Sequence, residues 1–146
     1  MFTPSRDEVR QFFCSVWQKR QARLPLSGAE LPAADILACH PEYHALLDNP
    51  AQALDREWTP EDGETNPFLH LSLHLAIAEQ LAIDQPPGIR AAFSRLAQTR
   101  DAHAAGHVLL ECLGEVLWAA QKEGKMPNST VYLDKVRTYA MRKAGN

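Results

Sequence analysis

The six histidines of this 146-residue chain fall into three pairs, and the members of each pair are four residues apart. The pairs are His40 with His44, His70 with His74, and His103 with His107. Random placement of six histidines would give roughly 0.2 such pairs. Residues four apart on an α-helix lie about 40° apart around the axis and about 6 Å apart along it, so two imidazoles at this spacing can bind one ion. The spacing therefore predicts helical histidine pairs that chelate a metal.

His70 and His74 fall on the apolar side of a predicted helix. Their neighbours on a helical wheel are apolar: Leu73, Ile77 and Leu81. The opposite side carries polar residues: Ser72, Glu79 and Gln80. Both imidazoles are expected to face the core, where a polar group without a partner costs about 1–3 kcal/mol. A metal, a carboxylate or another imidazole must therefore supply that partner.

A second predicted helix carries His103, His107 and Glu111 along one stripe, which Trp118 extends. His103 and Glu111 lie about 12 Å apart along the axis, so a single ion is expected to take His107 with one of them. The predicted metal ligands are therefore His70, His74, His107, Glu111 and His103. A nitrogen-rich set with one carboxylate suits zinc, iron, nickel or copper, whereas calcium and magnesium prefer oxygen ligands.

Two other interpretations of these residues remain. The first is a metal-free network in which His70 and His74 are core histidines hydrogen-bonded to Glu111 or Glu115, as in a helical protein-interaction or regulatory module. The second is a metal-free catalytic histidine–glutamate site, so the pattern leaves open whether the protein is an enzyme and what its small-molecule substrate would be. For His40 and His44, helix capping in a His-Pro-x-x-His loop is favoured over metal binding.

Helix signals dominate the chain, and no segment shows the two-residue alternation of a strand. Predicted helices run from a capping box at Ser5 and Glu8 to about Ala22, and over 29–39, 67–83, 89–100, 101–123 and 131–143, with a short helix beginning at Pro41. Asn66 and Asn128 are predicted N-caps, and residues 48–65 a long, partly helical connection. Four long helices with shorter connecting ones predict an all-α, single-domain helical bundle over residues 1–146.

Composition excludes several classes of function. The net charge is −3, so no nucleic-acid partner is expected, and the basic residues near the C-terminus are interpreted as a solvated helix face: Lys135, Arg137, Arg142 and Lys143. No apolar run approaches the length of a membrane span. Three widely spaced cysteines and the lack of a signal-peptide pattern predict a cytoplasmic protein, with Cys112 as a core thiol. A protein partner or a homo-oligomer is compatible with this composition.

Three segments resemble the bacterial domain-of-unknown-function 1841 family. They are His40-Pro-Glu-Tyr-His44, the segment from Asn66 to His74 with Glu79 and Gln80 following, and the segment from His107 through Glu111 and Glu115 to Trp118. The resemblance spans nearly the whole chain, and the segment around Asn66 is the most specific part. It implies a small helical protein, supports the single-domain and cytoplasmic expectations, and assigns no catalytic residue.

Overall fold

The protein is described by a computed structural model that covers residues 5–58 and 66–142. It is 74% helical, and its described residues form eight α-helices, one short 3₁₀-helix and no strand. The α-helices are α1 (Arg6–Gln21), α2 (Glu30–Ala38), α3 (His44–Leu47), α4 (Pro50–Asp55), α5 (Pro67–Ile83), α6 (Ile89–Leu96), α7 (Ala102–Glu123) and α8 (Ser129–Ala140). The 3₁₀-helix Pro41–Tyr43 precedes α3. The predicted all-α class is confirmed.

Local capping explains where the helices begin. Ser5 and Glu8 form the predicted capping box of α1, and the Asp101 side chain accepts a hydrogen bond from the Ala104 amide at 2.7 Å. Two predicted boundaries differ from the structure. The helix predicted over 89–100 ends at Leu96, because the chain must leave the helix to bring Asp101 into the extended conformation of an N-cap. Asn128 caps α8 directly, so that helix covers Ser129–Ala140 rather than 131–143.

The chain folds as two compact units, Met1–Leu75 and Ala76–Asn146, with the boundary inside α5. The first unit packs α2, α3 and α4 against α1. Its core is built from large apolar side chains of these helices and of the first turns of α5: Phe13, Val16, Trp17, Leu37, Leu47, Phe68 and Leu71. The single domain over residues 1–146 stays a prediction.

One buried arginine contacts three parts of the first unit. Arg10 of α1 is only 3% exposed, and its Nη1 donates to backbone carbonyl oxygens at the end of α4 at 2.8–3.2 Å: those of Ala53, Leu54 and Arg56. Its guanidinium also lies over the rings of Trp58 and Phe68. Burial, with a contribution from Arg6, lowers the pKa of Arg10.

The connection predicted over 48–65 contains the helix α4, and residues 59–65 lie outside the described part of the chain.

In the second unit, α6, α7 and α8 pack against one another. Their buried face is apolar: Ile89, Leu96, Leu109, Cys112, Leu113 and Val136. The buried Tyr132 hydroxyl of α8 donates to the Gln80 side chain at 2.6 Å, so Gln80 is half-buried rather than on a solvated face. Gly124, with φ of 68°, ends α7 at the predicted position. Within residues 5–58 and 66–142, no helix is both long and apolar enough to cross a membrane.

Replacing Asn66 tests the cap of the helix that carries His70 and His74. The Asn66 Oδ1 accepts from the Phe68 amide at 2.9 Å, which confirms the predicted N-cap. We expect Asn66→Ala to lower the free energy of unfolding by about 1 kcal/mol, measured by urea denaturation, because the Phe68 and Leu69 amides at the start of the helix lose their acceptor. Asn66→Asp keeps an acceptor and serves as the control. Equal loss in both variants would contradict this role.

Thiol labelling tests the burial of the cysteines. Cys39 is exposed, whereas Cys14 and Cys112 are buried. Burial, reinforced by Glu115, raises the pKa of Cys112 to about 11, and burial alone raises the pKa of Cys14. Because the thiolate is the reactive form, we expect a disulfide reagent at pH 8 to modify Cys39 rapidly and the other two slowly, and all three in urea. Rapid reaction of the folded Cys39→Ser variant would contradict this expectation.

Candidate metal centre

Three histidines converge in the first unit. His40, His70 and His74 each offer one ring nitrogen, and these three nitrogens all lie within 4.8 Å of one another. The ring centroids are 4.7 Å apart for His70 and His74, 5.2 Å for His40 and His70, and 4.8 Å for His40 and His74. Their planes meet at steep angles, which leaves the ring edges, where the nitrogens are, close together.

The helix α5 supplies two members of this histidine cluster. Asn66 and Pro67 start the helix, and the burial of Phe68 and Leu71 in the first-unit core fixes its rotation. His70 and His74, one turn apart, then have their Nε2 atoms 3.1 Å apart. Two nitrogens on one tetrahedral zinc ion are roughly 3.3 Å apart, given zinc–nitrogen bonds of about 2.0–2.1 Å. The pair therefore already has the separation that one ion requires.

His40 is the third member, and a hydrogen bond determines which of its nitrogens is available. Its side chain is 5% exposed, and its Nδ1 donates to the Ile36 carbonyl oxygen at 2.7 Å. A carbonyl oxygen only accepts, so Nδ1 carries the proton and a neutral ring has its lone pair on Nε2. Metal-binding histidines commonly have this arrangement, because the second hydrogen bond fixes both the tautomer and the ring orientation.

Tyr43 of the 3₁₀-helix packs against the histidine cluster. Its ring is parallel to the His40 ring, with centroids 5.6 Å apart, and its edge-on contact with His70 is at 6.3 Å. Burial, with a smaller contribution from Glu42, raises the pKa of Tyr43. The phenol thus stays protonated at neutral pH, and its ring restricts the rotation of the His40 imidazole.

His44 has a different role from its partner His40. Its Nε2 donates to the Leu37 carbonyl oxygen at 2.8 Å, and its ring stacks on Trp17 with centroids 4.1 Å apart. The Trp17 indole in turn donates to Asp48 at 2.7 Å. His40 and His44 therefore both donate to carbonyls in the last turn of α2, as the capping interpretation proposed, and His40 has the cluster as a second role.

The other predicted ligands lie on α7 in the second unit. The His103 and His107 rings have centroids 4.4 Å apart, so these two residues share one face, with His103 exposed and His107 half-buried. Glu111 is exposed. Glu115, the other carboxylate considered for a metal-free network, forms an ion pair with Lys135 at 3.1 Å. A ligand role for His103, His107 and Glu111 stays a prediction.

Sequence reasoning missed His40 as a site residue. The four-residue spacing of His40 and His44 drew attention to His40. That spacing predicts a shared site only when both side chains lie on one α-helix, and His40 instead precedes a 3₁₀-helix. Its approach to His70 and His74 depends on how the end of α2 packs near α5, which no local pattern encodes. The available signal was the rarity of three histidine pairs in one chain.

Comparison with known proteins gives a family and no nearer relative. No curated protein and no solved structure matches the chain. The family model described as a domain of unknown function, DUF1841, matches residues 5–138, a range that includes the whole histidine cluster. The resemblance inferred from the three segments is thereby confirmed, and the chain belongs to the DUF1841 family.

Proposed function

We propose that the protein binds one transition-metal ion through His40, His70 and His74. The observation that carries this proposal is the convergence of three ring nitrogens within 4.8 Å, two of which are 3.1 Å apart. Three protein ligands leave at least one coordination position for water or another ligand, as in catalytic zinc sites. That open position would allow hydrolytic or ligand-binding chemistry at the ion.

The donor atoms define the class of metal. Imidazole nitrogen suits zinc, copper, nickel and iron, whereas calcium and magnesium need oxygen ligands. Three neutral imidazoles also leave the positive charge of the ion uncompensated. The ion would therefore attract an anion or lower the pKa of a bound water at its open position.

Metal binding requires only small rearrangements of these side chains. The widest nitrogen separation, up to 4.8 Å, must contract to roughly 3.3 Å, a distance that histidine torsions can supply. His40 is held by its bond to Ile36, so His70 and His74 move most. The hydrogen bond between their Nε2 atoms needs a proton on one of them, and that proton must move to Nδ1 or leave before both nitrogens bind the ion.

A metal-free interaction module is the second candidate function. The hydrogen bond of 3.1 Å between His70 and His74 favours it, since each imidazole can serve the other as a partner. In the second unit, Trp118 is 64% and Met126 79% exposed beside a groove of about 510 Å³. Large exposed apolar side chains at a groove are typical of protein-binding surfaces. We further propose a cytoplasmic location, which the three free cysteines support.

Metal titration of untagged, chelator-treated protein tests the primary proposal. We expect one ion of zinc, nickel, copper or iron per chain, and about 2.7 kcal/mol of added stability at a free metal concentration 100 times Kd. His74→Ala and His40→Gln should lower the affinity by more than the 10- to 100-fold typical of losing a ligand's hydrogen-bond partner.

His44→Gln is the matched control for His40→Gln. Glutamine at either position can still donate to a carbonyl of α2, so both variants keep the capping interaction, but only His40→Gln removes a cluster nitrogen. We expect the control to bind metal like the wild type. Absence of uptake of all four metals by the wild type would overturn the metal proposal and leave the interaction module.

The ligands predicted on α7 supply a separate prediction. If His107 binds the ion together with Glu111 or His103, His107→Ala should weaken metal binding, as should either Glu111→Gln or His103→Ala but not both, because one ion cannot reach across about 12 Å. Glu123→Gln on the same helix is the control. Unchanged affinity in all three α7 variants, with loss in His74→Ala, would show that the ligands come from the first unit alone.

A further inference from the structure

We infer that the second unit has a binding site of its own for a small ligand with phosphate or carboxylate groups, in a pocket between α6 and α8. The pocket has a volume of about 230 Å³. Two arginines, Arg95 and Arg137, line it together with small side chains: Ala91, Ala92 and Ala140. All of its residues belong to the second unit, whereas the histidines of the proposed metal centre belong to the first.

The sequence register explains why the pocket is concave and basic. Ala91 and Ala92 lie three and four residues after Gly88, and Arg95 lies four and three residues after them, so the four residues share one face of α6 and its N-cap. On α8, Ala140 and Met141 likewise lie three and four residues after Arg137. Small residues leave the space between the helices unfilled, and the guanidinium groups provide positive charge at its wall.

The Arg137 guanidinium lies close to Gly88. A Cβ atom added to Gly88 would lie 2.8 Å from the Arg137 Nη2, closer than real Cβ contacts permit. Gly88 also has φ of 99°, a conformation that favours glycine. The exposed Arg137 side chain thus places its guanidinium beside the bare backbone at the start of α6.

The arginines of the pocket differ from other cations nearby in their partners. Lys135 pairs with Glu115, and Arg90 donates to the carbonyl oxygens of Leu81 and Ala82. By contrast, neither Arg95 nor Arg137 forms a salt bridge with any carboxylate in the part of the chain that the structure describes.

Asp84 is the anionic group at the start of α6. Its carboxylate accepts hydrogen bonds from the amides of Arg90 and Gly88, and these bonds, the one from Arg90 most strongly, lower its pKa. The helix N-terminus is thus already satisfied. The binding groups of the pocket are therefore the two guanidinium groups rather than backbone amides.

Guanidinium chemistry and pocket size define the ligand class. Arginine presents a planar fork of N–H donors that matches two oxygens of a phosphate or carboxylate group. A volume of 230 Å³ is below the range of about 300–1,000 Å³ typical of drug-sized ligands, so the occupant is a small molecule. Two arginines on separate helices suit a ligand with more than one anionic oxygen cluster, such as a diphosphate or a polycarboxylate.

Calorimetric titration with inorganic pyrophosphate, and separately with citrate, tests this site. The full chain is used free of metal, so that neither probe can bind an ion at the histidine cluster, and ionic strength is held constant. We expect one saturable site per chain for at least one probe. Arg95→Gln and Arg137→Gln should each weaken binding about tenfold or more, while Arg100→Gln, which removes an equal charge from the same unit, should change it less than twofold.

Two further variants make the outcome unambiguous. Arg137→Lys keeps the charge but loses the fork, so it should also weaken binding, and it guards against misfolding of the glutamine variant. His74→Ala should bind the probe like the wild type, which separates this site from the proposed metal centre. The inference is overturned if no saturable binding occurs, if Arg100→Gln weakens it as much as Arg137→Gln, or if a short single-stranded oligonucleotide binds and pyrophosphate and citrate do not.

Discussion

The hydrogen bond from His40 Nδ1 to the Ile36 carbonyl is the interaction on which the histidine cluster depends. At the end of α2 it gives the Ile36 carbonyl oxygen a second donor beside the Cys39 amide, and in the side chain it fixes the proton on Nδ1 and the lone pair on Nε2. A ring with the opposite tautomer would present an N–H to His70 and His74, and the cluster would lose its capacity to bind an ion. The same bond thus contacts the last turn of a helix and fixes which nitrogen of His40 can accept a ligand.

Packing in the first unit brings the end of α2, which precedes His40, close to α5, which carries His70 and His74. Arg10 connects α1 to the end of α4 and lies over Phe68, which is buried at the start of α5. Leu37, one residue after Ile36, is fully buried in the same core. Leu37 is three residues before His40, and Phe68 is two residues before His70. Buried side chains therefore fix the end of α2 and the start of α5 close to the cluster histidines. Histidines on two segments that are both packed into the core are held more rigidly than histidines on an exposed loop. A metal site needs this rigidity, because its ligands must keep a fixed geometry.

The parts of the structure that could be predicted from sequence are those decided by neighbouring residues. Ser5, Asn66 and Asn128 cap helices through bonds that span two or three residues, and each is a recognisable signal. The pair His70 and His74 is equally local. His40 was missed because its partners lie thirty or more residues away along the chain, and its own segment has a simpler explanation in capping. The early end of α6 escaped prediction for a related reason, since the cap requirement of the next helix overrides the helical pattern that precedes it.

The metal-bound and metal-free forms proposed for the cluster use the same side chains and differ in the position of a proton and in the separation of the ring nitrogens. In the structure, one Nε2 of His70 or His74 must be protonated to form their hydrogen bond. Moving that proton to Nδ1 leaves each of the three imidazoles with a lone pair on one ring nitrogen, since His40 already has its own on Nε2. Tautomers of a neutral imidazole interconvert through solvent, and both rings are half-buried rather than fully enclosed. The hydrogen bond that favours the interaction module is therefore also compatible with the proposed metal site. What distinguishes them is the third nitrogen, because a pair of histidines suffices for a hydrogen bond, whereas the proposed ion also uses His40 as a ligand.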